Sequence, residues 1–408
     1  MNCRHCDSEL RLPFLDLGCA PPSNAYLTEP LLRAPEVWYP LRLLVCESCW
    51  LVQTEDHAGR EALFTDDYAY FSSFSSSWLV HASAYVEAIT QRFGLNPGSC
   101  VVEIAANDGY LLRYVRAAGI PCYGVEPTAG TAAAARAHGI EIVEDFFGVA
   151  LADELVGFGK QADLIVANNV LAHVPDINDF VGGFARLLKV DGIATFEFPH
   201  LLRMVQGNQF DTAYHEHYSY LSLTAVESIF ARNGLSVFDV QELTTHGGSL
   251  RIFAQRSDSG SHAASDAVAA LRRVEADAGM RTAAFYSGFQ TTAEKVKDDL
   301  VAFLIQCKRQ GQKIGAYGAA AKGNTLLNFA GVRPDLLPYV VDKNPTKQGK
   351  FMPGSRIPIR APIALMQHAP EYVLVLPWNI AAEVKEQNAA LAARGTQFVA
   401  AVPYLGTV

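Results

Sequence analysis

Apolar and polar residues alternate with two different periods along this chain, and the switches between the periods outline its elements. From Trp78 to Phe93 the apolar positions recur at helical spacing before Gly94, which predicts an amphipathic helix over 78–93. Strands of the buried type are predicted over 100–105, 122–126, 163–167 and 193–198, with helices over 110–118 and 128–138. Strands and helices that alternate at this spacing form a parallel sheet with helices on both faces. The middle of the chain is therefore predicted to be an α/β domain.

Two further segments complete this central domain. A helix is expected to open at Thr224, with Glu227 three residues later as the second half of a capping box. Strands over 235–240 and 249–255, joined around Thr245-His246-Gly247-Gly248, are predicted to pair and close the sheet.

The ends of the chain have other patterns. Residues 1–75 are short strand-like pieces broken by turns such as Pro21-Pro22-Ser23-Asn24, residues 261–310 are helical, and a second series of strands and helices follows from Lys313 onwards. We therefore expect three domains: a small N-terminal domain at 1–77, a central Rossmann-like α/β domain at 78–260, and a C-terminal Rossmann-like α/β domain at 261–408.

Composition narrows the classes of function. Half of the 408 residues are hydrophobic, which supports several packed cores. A net charge of −9 without a basic stripe argues against a nucleic-acid partner. No apolar run approaches the roughly 20 residues of a membrane-spanning helix, and the residues after Met1 lack the apolar region of a signal peptide. We expect a cytoplasmic protein without a membrane partner, as a monomer or a weak homo-oligomer.

Four of the eight cysteines form two Cys-x-x-Cys pairs, Cys3 with Cys6 and Cys46 with Cys49. Each pair is able to offer two thiolates to one face of a tetrahedral Zn²⁺, although the connector between the pairs is longer than in a usual zinc ribbon. Neither pair has the βαβ context of a redox motif. A structural zinc with four cysteine ligands is the prediction, free thiols are the alternative, and His5 is expected to be a bystander.

The turn after the first central strand favours the close approach of a ligand. Residues 103–109 read Glu-Ile-Ala-Ala-Asn-Asp-Gly, and small residues at a helix N-terminus let the backbone come near a bound group. Glu126 ends the next strand, where its carboxylate would bind both ribose hydroxyls of an adenosine or would merely cap the next helix. The order of the elements and the closing strand pair favour S-adenosylmethionine over NAD. The candidate cofactor-binding residues are Glu103, Ala105, Asn107, Gly109, Tyr110, Glu126, Pro127, Asp145, Phe146, Asn168 and Asn169.

The segment Tyr214-His215-Glu216-His217-Tyr218 follows neither period. Five ionisable or hydrogen-bonding side chains in a row contribute little to a core, so the segment is either a solvated loop or the lining of an active site. It lies downstream of the last predicted parallel strand. Because open α/β sheets deliver catalytic groups at the carboxyl ends of their strands, the second interpretation is favoured.

In this order the motifs resemble one family over nearly the whole chain: the three-domain, zinc-containing, S-adenosylmethionine-dependent C-methyltransferases of nucleotide-linked deoxysugars, of the C-3′-methyltransferase type. The motifs that carry the resemblance are the two cysteine pairs, Pro21–Tyr26, Tyr68–Ser73, Glu103–Gly109, Tyr214–His217, His246–Arg251 and Asp342–Pro345. Ala105-Ala106 departs from the pattern, since a glycine is expected there, and the turn should be slightly less open.

The resemblance implies a class I methyltransferase domain in the centre and a dTDP-linked 4-keto-deoxysugar as substrate, in branched-sugar biosynthesis such as that of antibiotics. The C–H lost would be α to the ketone, at C3 in preference to C5. His217 would be the base, with Tyr214, Glu216 and His173 around the sugar, and Tyr68 would close the site.

The chemistry of these residue types agrees with such roles. A neutral histidine is able to take a proton at cellular pH, and an enolate oxygen needs a donor such as Tyr214 or His173. His215 is expected to be structural. The candidate substrate-binding residues are His200, His246, Arg251, Lys322 and Asn324.

A second interpretation rests on the C-terminal domain. Gly315-Ala316-Tyr317-Gly318 follows a predicted strand, and Asp342 lies about 20 residues beyond the turn, as in a dinucleotide fingerprint. This pattern allows an NAD-dependent oxidoreductase that acts on a nucleotide-sugar, although Lys322-Gly323-Asn324 suits the phosphates of a nucleotide-sugar equally well. A zinc-dependent scaffold protein without turnover is a third possibility.

Overall fold

The computed structural model of the chain describes residues 1–57, 59 and 71–408, and three sheets organise this part of the chain. The N-terminal sheet contains β1 (Leu12–Ala20), β2 (Tyr39–Val45) and β3 (Val52–Thr54) in antiparallel pairing. Its fourth strand comes from far along the chain, at residues 219–220. Tyr68, predicted to close the site, lies outside the described residues.

The central sheet has seven strands and confirms the predicted α/β domain. Its long apolar strands are buried on both faces, as is typical of a parallel sheet, and β11 joins it antiparallel to β8. The order is β10-β11-β8-β7-β4-β5-β6. The strands, with the N-terminal sheet's β9, are β4 (Val101–Ile104), β5 (Cys122–Val125), β6 (Glu141–Val143), β7 (Ala162–Asn168), β8 (Leu188–Pro199), β9 (Ser219–Tyr220), β10 (Leu235–Leu243) and β11 (Ser249–Arg256).

Helices cover both faces of the central sheet. The helix predicted over 78–93 is confirmed, because Ser75 accepts a hydrogen bond from the backbone N–H of Trp78 at its start and Gly94 ends it with a left-handed φ of 63°. The seven helices of this part are α1 (Ser76–Phe93), α2 (Leu112–Ala117), α3 (Ala129–Ala137), α4 (Val149–Gly157), α5 (Ile177–Leu187), α6 (Leu201–Gln206) and α7 (Leu223–Arg232).

The predicted capping box at Thr224 is wrong. Ser222 is the N-cap of α7 and accepts from the backbone N–H of Ala225 at 3.1 Å. The Thr224 hydroxyl donates instead to Glu275 at 2.7 Å, and Glu227 pairs with Arg272. Ser222 therefore caps the first turn of this helix, and the Thr224 hydroxyl makes a tertiary contact with Glu275.

The C-terminal part consists of three helices followed by a six-stranded sheet in the order β14-β13-β12-β15-β16-β17. The helices before the sheet are α8 (Asp266–Asp277), α9 (Ala283–Tyr286) and α10 (Phe289–Arg309). The later elements are β12 (Ile314–Tyr317), α11 (Ala321–Phe329), β13 (Val340–Val341), β14 (Ile359–Arg360), α12 (Ile363–His368), β15 (Tyr372–Val375), α13 (Ala381–Gln387), α14 (Ala389–Ala392), β16 (Gln397–Ala400) and β17 (Gly406–Thr407). Short 3-10 helices occupy Pro30–Arg33, Ser72–Phe74, Leu171–His173, Phe210–Thr212, Thr245–Gly247 and Trp378–Ile380.

The N-terminal and C-terminal parts share one hydrophobic core. Phe14 of β1 stacks on Phe289 with ring centroids 4.7 Å apart, and Trp50 stacks on Tyr286 at 6.0 Å. This sharing was not predicted, because each part has strand patterns of its own. Within residues 1–57, 59 and 71–408, no helix has the length and apolar character that crossing a membrane requires.

Candidate active site

The four cysteines of the two Cys-x-x-Cys pairs converge, and we call Cys3, Cys6, Cys46 and Cys49 the cysteine cluster. Their sulfur atoms all lie within 4.8 Å of one another, with Cys3 to Cys49 at 3.6 Å and Cys6 to Cys46 at 3.4 Å. Sulfur ligands of a tetrahedral zinc with bonds of about 2.3 Å are about 3.8 Å apart, so the cluster fits this ion. A site closed by four thiolates has no open position for catalysis. His5 is not a ligand, since its ring bonds Asn178 and Ser228 of the central domain.

The turn after β4 has the backbone of a ligand cradle. Ala105, Asn107 and Gly109 all adopt left-handed φ angles, of 58°, 50° and 75°. Ala105 therefore has a backbone conformation that a glycine would adopt at lower cost. This is the position at which the family pattern led us to expect a glycine. A Cβ at Gly109 would lie 2.3 Å from Cδ1 of Ile140, so a larger residue there would displace the Ile140 side chain in addition to straining the left-handed backbone.

Buried carboxylates and amides surround this turn. Glu103 is 1% exposed, and neither of its carboxylate oxygens has a hydrogen-bond partner among the described residues. Burial raises the pKa of Glu103 well above its usual range, and the neighbouring Tyr110 hydroxyl opposes that shift only in part. Asp108 and Asn168 each have a buried, unpartnered side-chain oxygen as well. Three orphaned acceptors beside one turn fit the ammonium and sulfonium groups of S-adenosylmethionine.

Glu126, at the end of β5, bonds the backbone of two turns. Its carboxylate accepts from the backbone N–H groups of Asn107 and Thr128, each at 2.9 Å. These two bonds orient the Glu126 carboxylate. Pro127 follows in the same loop, and Asp145 and Phe146 follow β6, as the order of elements predicted.

The residues after β7 lead from the cofactor turn to His246. Asn169 has a left-handed φ of 54°, and its side-chain amide donates to Nε2 of His246 at 3.4 Å. The ring of Trp78 lies 5.2 Å from the ring of His246 and 5.8 Å from that of Tyr110. His246 is thus held between the two predicted sites.

His217 has one defined tautomer. Its Nδ1 is 2.9 Å from the carbonyl of Thr212, and a carbonyl only accepts, so Nδ1 carries the proton. Nε2 therefore presents its lone pair, which accepts from the Tyr214 hydroxyl at 2.7 Å. Burial holds the pKa of His217 well below its usual value, and a charge on His173 would lower it further. The imidazole is neutral at cellular pH, as a general base must be.

His173 and Glu216 complete this group. The His173 ring packs edge-on against His217 with centroids 4.6 Å apart, and its Nδ1 donates to the Glu216 carbonyl at 2.8 Å. Burial lowers the pKa of His173 to about 4. The Glu216 carboxylate is 1% exposed, accepts from Asn24 at 3.1 Å, and has one oxygen without a partner in the described part of the chain. Burial raises the pKa of Glu216 above its usual value.

His215 lies on the other side of this turn, as expected for a structural residue. Its Nε2 donates to the carbonyls of Tyr39 and Pro40, at 3.3 and 3.2 Å. The segment is a turn, because the His217 N–H bonds the Tyr214 carbonyl.

Arg251 and His200, both predicted to contact the substrate, have partners within the protein. Arg251 donates to Glu197 at 2.6 Å, and both side chains are buried, so its charge is neutralised within the protein. The His200 side chain is fully enclosed and bonds Glu275 at 2.8 Å, which ties the end of β8 to α8. These bonds fix the positions of both side chains, and their contact with substrate stays a prediction.

Glu197 and His81 were missed from the sequence. The Glu197 carboxylate accepts from His81 at 2.9 Å and from the Thr245 hydroxyl at 3.0 Å. Burial alone would raise the pKa of Glu197, but the bond from His81 and the charge of Arg251 outweigh it and lower the pKa. A lone carboxylate inside the apolar strand 193–198 was the signal for such a group.

Lys322 faces the active site from the C-terminal domain. Its Nζ lies 4.4 Å from the ring centroid of Trp378 and donates to Asn379 at 3.1 Å. Burial at the domain junction lowers the pKa of Lys322 to about 8, and the charge of Asp211 opposes that shift. The Trp378 indole N–H donates to Asp211 at 2.8 Å. The Asn324 amide donates to the carbonyl of Ser23 and the residue is 1% exposed, and its contact with substrate stays a prediction.

The glycine-rich turn after β12 is occupied by the protein itself. Asp342 accepts from the backbone N–H of Ala319 at 2.7 Å. The Ala319 carbonyl accepts from the Tyr26 hydroxyl at 2.6 Å and from Lys347 at 2.9 Å. These contacts lie where the pyrophosphate of a dinucleotide would approach, and they give the NAD-dependent interpretation no support.

Comparison with known proteins agrees with this architecture. Family models match in three consecutive stretches, a "Putative zinc binding domain" at 3–64, a "Methyltransferase domain" at 79–240 and a "C-methyltransferase C-terminal domain" at 244–403. The C-methyltransferase NovU of Streptomyces niveus is 32% identical over 402 residues, which cover 98% of this chain and 95% of NovU.

Solved structures match over less than half of the chain. Magnesium protoporphyrin IX methyltransferase (ChlM) of Synechocystis PCC 6803 is 18% identical with a TM-score of 0.36, over 44% of this chain and 83% of that one. An S-adenosylmethionine-dependent methyltransferase of Clostridium acetobutylicum is 10% identical with a TM-score of 0.34, over 44% and 91%. From the match along the whole length of NovU and the three family models, the chain belongs to the three-domain, zinc-containing family of S-adenosylmethionine-dependent C-methyltransferases.

Proposed function

We propose that the protein methylates carbon on a nucleotide-linked 4-keto-deoxysugar, with dTDP as the expected nucleotide. The observation that carries this proposal is the His217 imidazole, which is buried, neutral and fixed in the tautomer whose Nε2 is the acceptor. Carbon methylation needs a carbanion, and a sugar C–H is acidic enough only next to a carbonyl. A locked neutral base suits that task.

Nε2 of His217 takes the proton from the carbon α to the ketone, and the C–H electron pair becomes the enolate. S-adenosylmethionine, when bound, would supply the methyl group for the new C–C bond as a sulfonium, with S-adenosylhomocysteine as the leaving group. The Tyr214 hydroxyl, 2.7 Å from Nε2, is placed to donate to the enolate oxygen, with His173 as the second candidate. C3 is the expected position of the methyl group.

The remaining residues of the proposed site bind and orient. Glu103, Asp108 and Asn168 would offer acceptors to the cofactor, and the Glu126 carboxylate would bind its ribose. Lys322 would neutralise the diphosphate, His246 would contact the sugar, and the Glu216 carboxylate would accept from a sugar hydroxyl. The proposed location is cytoplasmic, in a pathway to branched sugars.

Mass spectrometry of a reaction with S-adenosylmethionine and a dTDP-4-keto-6-deoxysugar tests the proposal. The expected product is heavier by one methylene, with an equal amount of S-adenosylhomocysteine, and carbon NMR locates the new methyl group. An absence of product across several 4-keto sugars, with cofactor binding demonstrated by calorimetry, would refute the proposed acceptor.

A further inference from the structure

The N-terminal sheet takes its last strand from the active site. Strand β3 pairs antiparallel with β9, so that Val52 lies opposite Tyr220 and Gln53 opposite Ser219. Because β3 follows Cys49 closely and β9 follows His217 closely, this pairing joins the cysteine cluster to the proposed base. The two ends of the connection are more than 150 residues apart in the chain.

Thr54 bonds two consecutive backbone carbonyls, those of His217 and Tyr218. Its N–H donates to the Tyr218 carbonyl at 3.2 Å, and its hydroxyl donates to the His217 carbonyl at 3.2 Å. Thr54 is 3% exposed, so these bonds are not shared with bulk water. Together with the bond from Nδ1 to Thr212, they hold His217 at its main chain and at its ring.

Gln53, the residue before Thr54, contacts the cysteine cluster. Its side chain is fully buried, and its amide N–H donates to the Cys3 sulfur at 3.2 Å. Its amide oxygen accepts from the backbone N–H of Arg4 at 2.9 Å. A donor to sulfur favours the thiolate, which is the form that binds metal, and such outer contacts orient metal ligands.

Arg4 lies inside the first cysteine pair and reinforces the connection. Its guanidinium donates to the carbonyls of Thr54 and Pro175, at 3.1 and 2.8 Å, and to the Asp56 carboxylate at 2.7 Å. Pro175 follows closely on His173, the other histidine of the site. Arg4 thus connects the first cysteine pair to Thr54, which bonds the His217 carbonyl, and to Pro175 near His173.

We propose that Gln53 and Thr54 are positioning residues that couple the metal-loaded cysteine cluster to the placement of His217. On this inference the zinc-binding domain, which does no chemistry itself, orients the base. The inference rests on the proposed role of His217. Displacing a catalytic group by about 1 Å is able to lower turnover by up to about 100-fold, so one hydrogen bond to the His217 backbone is enough to matter.

The variant Thr54→Val removes the hydroxyl and keeps shape and the backbone bond. Thr54→Ser restores the hydroxyl, and Thr90→Val is the matched control, because the buried Thr90 hydroxyl has no partner in the described part of the chain. Hydrogen exchange of the peptide 217–220 is measured on the zinc-loaded protein, together with kcat, KM, zinc content and affinity for S-adenosylmethionine.

In Thr54→Val we expect exchange in 217–220 to rise about fivefold, the factor of one hydrogen bond, and kcat to fall about tenfold. Zinc content, cofactor affinity and KM should stay within about twofold, and Thr54→Ser should recover kcat. Unchanged exchange, or faster exchange with unchanged kcat, would overturn the inference. If the wild type itself has no turnover, the proposed function fails, while exchange still decides whether the coupling exists.

Gln53→Leu tests the metal end without reference to activity. We expect zinc to pass from this variant to a chromogenic chelator about tenfold faster than from the wild type. Hydrogen exchange in 217–220 should also rise, both in this variant and in the wild type after its zinc is removed. Zinc release at the wild-type rate, or a zinc-free wild type with unaltered exchange in this peptide, would overturn the coupling.

Discussion

The Tyr214 hydroxyl donates to Nε2 of His217 at 2.7 Å, and the two rings lie with centroids 3.9 Å apart. The bond exists only because the Thr212 carbonyl keeps the imidazole proton on Nδ1. A keto sugar that entered the site would replace this internal donor with its own C–H, and the tyrosine hydroxyl would be released for the developing oxyanion.

Replacing the base should separate binding from chemistry. In His217→Asn the amide retains some hydrogen bonding but has no basic nitrogen, so we expect kcat to fall by about 10²–10⁴-fold with the affinity for S-adenosylmethionine unchanged. His138→Asn, at an exposed helix C-terminus, is the matched control. Turnover near that of the wild type in His217→Asn would exclude this residue as the base.

The buried histidines should make the protein sensitive to acid. Burial lowers the pKa of both His173 and His246 from 6.5 to about 4. Between these values the unfolded chain binds protons that the folded protein does not, so the unfolding free energy rises with pH there and is lost as pH falls from 6.5 towards 4. Urea unfolding across this range checks the sign, and His246→Asn should show a shallower slope.

Binding of the nucleotide should weaken in mild alkali. Burial lowers the pKa of Lys322 to about 8, so its charge is lost as pH rises through that value. We expect dTDP affinity, measured by calorimetry, to fall about tenfold above this pH. Lys322→Arg should keep its affinity at high pH because the guanidinium does not titrate, and Lys322→Met should be weak at every pH. A wild-type affinity without pH dependence would contradict the contact.

The cofactor turn should accept a glycine at position 105. Because Ala105 has a φ of 58°, Ala105→Gly removes backbone strain and should leave the unfolding free energy equal or higher by up to about 1 kcal/mol. Ala106→Gly is the opposite control, since Ala106 is fully buried and should lose about 1 kcal/mol. Denaturant midpoints measure both, and a marked loss in Ala105→Gly would refute the strain.

Removal of the metal should act on the whole fold. We expect one zinc per chain, and Cys46→Ser to lose most of it, because three thiolates and a hydroxyl bind zinc poorly. The N-terminal part shares its core with the C-terminal part, so chelation should lower the melting temperature of the entire protein. A melting curve that is indifferent to chelators would show that the cluster does not hold a folding metal.

Several features of the site were predictable because they depend on local order along the chain. The alternation of apolar strands with amphipathic helices set the α/β class, and the small residues at 105–109 marked the turn that takes left-handed angles. The paired cysteines predicted their own convergence, since thiols at such spacing serve one metal. The five residues at 214–218 stood out because they follow neither period, although four of them are buried in the folded chain.

Partners distant in sequence determined which side chains are already bonded within the protein and how the N-terminal sheet is completed. Arg251 and His200 looked available for substrate, but buried carboxylates at 197 and 275 neutralise or occupy them, and Ser222 displaced Thr224 as a helix cap. No local pattern indicates that β3 pairs with β9 or that Thr54 meets His217. Sequence periodicity determined which elements form, because each depends on neighbours within a few residues. The pairing of charges, the tautomer of His217 and its connection to the cysteine cluster were decided by tertiary structure, because hydrogen bonds and desolvation depend on which groups the folded chain brings together.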